Sequence, residues 1–156
     1  MSPAERLQFA RLIEMEATQL RAFVDLLQRE EALLLAGDTD ALLSLTQEKT
    51  SLYHTQQRLH EARVQLLKRL GQDDPAQAIH ALCQDLPDTR RQWDEVLRLA
   101  AEARERNTLN GRLIVERLQH NQGALDILLK AANRPQLYDA DGNPRASGSG
   151  RLLGSA

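Results

Sequence analysis

Apolar residues recur at alternating intervals of three and four along most of this chain, a rhythm that long helices packed side by side satisfy. One seam runs through Ala10, Ile13, Ala17, Leu20, Val24, Leu27 and Leu34 and stops at Gly37. A second runs through Leu42, Leu45, Lys49, Leu52, Gln56, Leu59, Arg63, Leu66 and Leu70, up to Gly71. The longest passes through Trp93, Leu97, Ala100, Arg104, Asn107, Gly111, Ile114, Leu118, Asn121, Leu125, Leu128 and Ala132. Strands have little to build on, because aromatic residues make up only 3% of the chain and the bulk is Leu, Ala, Gln, Glu and Arg.

Local signals place the helix ends. Ser2-Pro3-Ala4-Glu5 is a capping box with proline at the first helical position, so a helix is predicted over 3–36. Asp38 can cap a second helix over 39–70, and Gly71 stops it. Asp74-Pro75, with Gln77 following, opens a short helix over 75–85 whose apolar face is Ile79, Leu82, Cys83 and Leu86. From about Asp88 the pattern runs without proline to Asn133, which predicts one helix on the order of 65 Å long.

The expected fold is therefore all-α, an antiparallel bundle of three long helices plus one short helix. It forms a single domain over 1–134, with the end of the last helix overhanging. After Arg134-Pro135 the run from Leu137 to Pro144 is turn chemistry and Ser147-Gly148-Ser149-Gly150 is linker-like, so 135–156 is predicted to be a flexible tail.

Composition excludes several classes of function. The net charge is −2 with signs interspersed, which leaves no basic face for a phosphate backbone and argues against nucleic acid. No apolar stretch approaches the ~20 residues of a membrane span, and Met1 to Glu5 lacks the pattern of a secretory signal. With one cysteine, Cys83, and no disulfide framework, a reducing cytoplasmic setting is expected. His54, His60, His80 and His120 form no i,i+4 pair, so neither a metal site nor a catalytic constellation is predicted, and no cofactor. Asp139-Ala140-Asp141-Gly142-Asn143 has the wrong spacing for a calcium loop and reads as a turn.

The seams carry the functional signal. Asn107 and Asn121 suit register-fixing positions of a helical bundle. Lys49, Gln56, Arg63 and Arg104 have no sequence-local partner, which predicts that their stretches are lightly covered and leave room for another helix. The first helix has a second apolar row, Phe9, Leu12, Phe23, Leu26 and Leu33, expected to pack in the core. The last helix is apolar on more than one side through Ile114, Val115, Leu118, Leu125, Ile127, Leu128 and Leu129, and the predicted overhang makes this a partner surface.

Three local runs sharpen this reading: Asn107-Thr108-Leu109-Asn110-Gly111-Arg112-Leu113-Ile114, Asn121-Gln122-Gly123-Ala124-Leu125, and Leu137-Tyr138-Asp139-Ala140-Asp141-Gly142. With the helical architecture they resemble the FlgN family of flagellar type III export chaperones. The resemblance implies a cytosolic chaperone without catalytic residues. Such a protein holds the C-terminal helices of hook-filament junction (hook-associated) proteins, prevents their premature assembly and delivers them to the export apparatus. It also implies client binding at Ile114, Val115, Leu118, Asn121, Leu125, Leu128 and Leu129. For Tyr138 it implies docking to the cytosolic domain of the export gate, although a tyrosine pinning the tail to the bundle fits the residues equally well. The competing reading is a self-associating coiled-coil scaffold or adaptor, in which polar seams set register between identical chains.

Overall fold

The computed structural model describes residues 1–119 and 124–133. They form five α-helices: α1 (Pro3–Ala36), α2 (Thr39–Arg69), α3 (Pro75–Cys83), α4 (Pro87–Leu118) and α5 (Ala124–Asn133). Among the described residues there is no strand.

The ends follow from local chemistry. Ser2 Oγ accepts the Glu5 N–H at 3.2 Å while the Glu5 carboxylate accepts the Ser2 N–H at 2.7 Å, closing the capping box. At the far end of α1, Gly37 takes a left-handed φ of 72°. The N–H of Gly37 then reaches Leu34 O, and that of Asp38 reaches Leu33 O. A Cβ there would also lie 2.8 Å from Arg117 Nη1, which a larger residue would push aside. The same guanidinium donates to Leu35 O at 2.8 Å, capping α1 from the end of α4. Pro87 opens α4 at its first turn rather than merely ending the helix before it.

Helix directions can be read from the cross-links. Glu16 pairs with Arg63 and Glu30 with Lys49, so residue numbers fall in α2 as they rise in α1, and the two run antiparallel. Arg21 pairs with Glu95, and Leu35 O is capped by Arg117, so α4 runs parallel to α1 and antiparallel to α2. The bundle is up-down-up with α1 as its hub, and α3 packs against α2 and α4.

The main core gathers Phe9, Ile13, Leu20, Phe23 and Leu27 of α1 with Leu66 and Leu67 of α2, Ile79 and Cys83 of α3, and Val96 and Leu99 of α4. The second row of α1 is core, as its pattern predicts: Phe9, Phe23 and Leu26 are buried. Burial also pushes the Cys83 thiol up to about 11, which suits a packing residue and not a nucleophile.

The predicted helix over 88–133 is in fact two. α4 ends at Leu118 and α5 begins at Ala124, with the poor helix formers Asn121 and Gly123 between them. In α5 the Ala132 carbonyl accepts a hydrogen bond from Asn107 Nδ2 at 2.8 Å. One continuous helix would hold those residues roughly 37 Å apart. The segment folds back antiparallel along α4, so the predicted overhang is a hairpin lying on the bundle.

Candidate functional site

Two buried polar layers cross the bundle, and they define the site by dividing the core. In the first, Arg63 Nε donates to Glu16 Oε1 at 2.6 Å, and its guanidinium lies 4.8 Å from the Trp93 ring centroid. Arg63 Nη2 also approaches His60 Nδ1 at 3.0 Å; since arginine only donates, that nitrogen is the acceptor. In the second layer, Lys49 Nζ donates to both oxygens of Glu30 at 3.1 Å and to Asn107 Oδ1 at 2.9 Å. Asn110 Nδ2 completes it, reaching Glu30 Oε1 and Leu27 O, both at 2.9 Å. Burial holds the Lys49 ammonium below the usual lysine range, with Glu30 opposing that shift.

These contacts correct the expectation of open seams at Lys49, Gln56 and Arg63, each only 2% exposed. The cations are covered because acids on α1 meet them, and a buried charge with a hydrogen-bonded partner is tolerable where an isolated one is not. Arg104 is half-buried. A signal for the pairing lay in the sequence. Glu16 and Glu30 are two heptads apart, Lys49 and Arg63 are likewise two heptads apart, and Glu16 and Glu30 continue the heptad row of Phe9 and Phe23. Asn107 serves the register-fixing role its seam position suggests, tying α2, α4 and α5 together.

Beyond the second layer lies a smaller apolar cluster of Leu34, Leu42, Ile114 and Ala132, one residue from each of α1, α2, α4 and α5. Leu33, Leu43, Leu113, Leu118 and Leu129 pack around it, partly buried. Ile114, first among the residues assigned to client binding, is only 1% exposed and sits inside this cluster, whereas Val115 is 47% exposed. Leu118 and Leu129 are half-buried at the rim and Ile127 is exposed. Asn121 and Tyr138 lie outside the described residues, as do the tail, His120 and the 139–143 turn, and the side chains of Leu125 and Leu128 also fall outside them. Between α4 and α5 runs a groove of about 620 Å³ whose walls include Asn107, Gly111, Val115, Leu129 and Ala132. Half of its lining is polar or charged, with Thr108, Arg112 and Glu116 beside Asn107, and such a mixed trough can receive part of an amphipathic segment.

Comparison with known proteins decides the family. The FlgN protein family model matches residues 5–146. The chain belongs to the FlgN family. The flagella synthesis protein FlgN of Yersinia enterocolitica is 28% identical over 153 residues, which cover 96% of this chain and 97% of that protein. That of Salmonella typhimurium is 26% identical over 147 residues, covering 92% and 94%. No solved structure matches.

The match includes α5 and the α4–α5 groove within one FlgN unit, so this end of the bundle belongs to the family region and not to an appended segment. Among the described residues no group of three His, Cys, Asp or Glu is placed to hold a metal ion. No helix among them is long and apolar enough to cross a membrane.

Proposed function

We propose that this FlgN-family chain is a flagellar export chaperone that binds the C-terminal helical segments of hook-filament junction proteins. It keeps them from assembling early and delivers them to the type III export apparatus in the cytoplasm. The observation that supports this reading is the α4–α5 end of the bundle. There a thin apolar cluster, an adjoining groove and the exposed Val115 and Ile127 offer a surface that, among the described residues, is covered by the short helix α5. A client segment disordered in the free monomer would expose its apolar heptad face, and laying that face on the bundle hides it. Ordering the client offsets part of the contact energy, which keeps release possible. The contact residues on this reading are Ile114, Val115, Leu118, Asn121, Leu125, Leu128 and Leu129. Ile114 becomes available once α5 moves. Tyr138 is assigned to docking at the cytosolic domain of the export gate. The role requires no catalytic step.

The test is calorimetric titration of the full chain with a synthetic peptide carrying the C-terminal helix of a hook-filament junction protein. Val115→Asp combined with Leu129→Asp, both at the rim, is expected to weaken binding by about tenfold or more with helicity retained. Unchanged affinity would move the client surface elsewhere. Light scattering without peptide separates this reading from the scaffold, because a chaperone stays small until the client is added while a scaffold associates alone.

A further inference from the structure

The amide of Asn107 is held in one orientation by its neighbours, and that orientation has a consequence for whatever lies on this end of the bundle. On one side stands Lys49 Nζ, 2.9 Å from Oδ1. An ammonium has donors and no acceptor, so the oxygen of Asn107 must face it and the NH₂ must face the other way. Lys49 is fixed in turn by both oxygens of Glu30, and Glu30 by Asn110. The whole layer is buried, so the amide cannot flip without leaving an ammonium and a donor face to face in a medium where such a clash is costly. What Asn107 presents to α5 is therefore a donor.

The group it meets is Ala132 O, in the last turn of α5, at 2.8 Å. The last four carbonyls of a helix have no partner within the helix. Asn107 thus supplies from another helix a donor for one of those carbonyls, and the Lys49 charge behind it suits the negative end of the helix dipole. A helix laid the other way round would bring N–H donors against the Asn107 N–H, leaving both unsatisfied.

We infer that Asn107, oriented by Lys49, is a polarity-reading residue. It admits to the groove an amphipathic helix whose C-terminal carbonyls point at it, α5 is the resident example, and a client helix displaces α5 and docks with the same polarity. The client half of this inference rests on the chaperone reading above; the α5 half does not. α5 suits a placeholder, since it places Ala132 in the end cluster and Leu129 at its edge while Val115 stays exposed. A longer client helix with larger apolar residues would bury more and still find the same donor.

The decisive variant is Asn107→Asp, which is nearly isosteric, keeps an acceptor for Lys49 and turns the outward donor into an acceptor. In the full-length protein, hydrogen exchange of the α5 amides is expected to speed up about tenfold, the size of one lost hydrogen bond plus the new acceptor–acceptor conflict, while exchange in the middle of α1 is unchanged. Asn107→Leu, which removes the donor without adding repulsion, should give a smaller acceleration confined to the same helix. Unaltered α5 exchange in both variants would overturn the inference whatever the client does. The client half is read by NMR of the Asn107 side-chain amide with the junction-protein peptide, carrying a nitroxide at one end or the other. Broadening by the C-terminal label and not by the N-terminal one is expected. The reverse, or equal broadening, overturns the polarity rule while leaving the chaperone reading intact. Failure of the peptide to bind the wild-type chain counts against the chaperone reading and leaves the α5 result standing.

Discussion

Around Leu20 and Leu99 the bundle closes over side chains from α1, α2, α3 and α4, whereas beyond the Glu30–Lys49–Asn107 layer its core shrinks to Leu34, Leu42, Ile114 and Ala132. The first region has a broad apolar core and a cation locked between an acid and an indole. The second has a thin apolar floor, a polar boundary and a short helix folded back as its lid. Stability in a helical protein is not uniform, and elements with few buried apolar contacts open at lower free energy than the body. The contrast therefore places rigidity in the α1–α3 end and adaptability where a partner is proposed to bind.

The largest effect is expected at the heart of the rigid region. Arg63→Leu leaves Glu16, fully buried, without its cation, and removing one partner of such a pair costs about 3–5 kcal/mol. Urea denaturation should show this as a large fall in the midpoint. Adding Glu16→Leu should recover most of the loss, because an apolar pair of similar size avoids the desolvation cost. Lys49→Leu should cost less than Arg63→Leu, since its layer borders the thin apolar cluster, whose surroundings can relax more readily than the main core. Equal losses at the two layers would mean that the bundle does not divide as described.

A smaller and more local effect separates the two apolar clusters. Leu20→Ala in the main core is expected to cost about 2–5 kcal/mol and to raise hydrogen exchange throughout α1, α2 and α4. Ile114→Ala removes similar bulk from the thin cluster, where the surroundings can collapse, so its cost should fall near the lower end, about 2 kcal/mol. Its exchange signature should be confined to α5 and the last turns of α4. A uniform rise across the chain would show that α5 and the main body unfold as one.

Much of the rigid region was legible in the sequence, and the adaptable end was legible only in part. The helix class, the Ser2 cap, the Gly37 stop and the core role of Phe9 and Phe23 follow from local chemistry and periodicity, which act within a few residues. The burial of Lys49 and Arg63 depends on acids in another helix, and a single-helix reading has no account of them until the matching heptad offsets are noticed. The fold-back of α5 is a tertiary choice as well. Asn121 and Gly123 weaken the helix there, but a helix with weak residues stays straight unless packing rewards a turn, and that reward lies in Leu34, Leu42 and the Asn107 donor. The apolar pattern at Ile114 and Leu118 marks an apolar face, yet it cannot reveal that part of that face is covered by the same chain.

The last prediction uses acid to probe the rigid region alone. Burial and the charge of Arg63 push the His60 imidazole down to about 4, below its ordinary value of 6.5. In the unfolded chain His60 takes up a proton as the pH falls through about 6.5, while in the folded chain it resists until about 4. The stability tied to this group is therefore complete above about 6.5 and is lost as the pH falls toward 4, by an amount on the order of 1–3 kcal/mol. Protonation at Nδ1 also replaces the acceptor that faces Arg63 Nη2 with a donor, so the loss falls on the layer that holds α1, α2 and Trp93 of α4 together. His60→Gln keeps an acceptor without a titrating group and should flatten the stability profile between pH 4 and 6.5 in urea titrations. The described residues of the thin cluster and its rim contribute no histidine, so α5 exchange measured over the same range should change little through this route. Parallel pH profiles for the two proteins would show that another group governs the acid transition, and the first polar layer would then lose its distinct role.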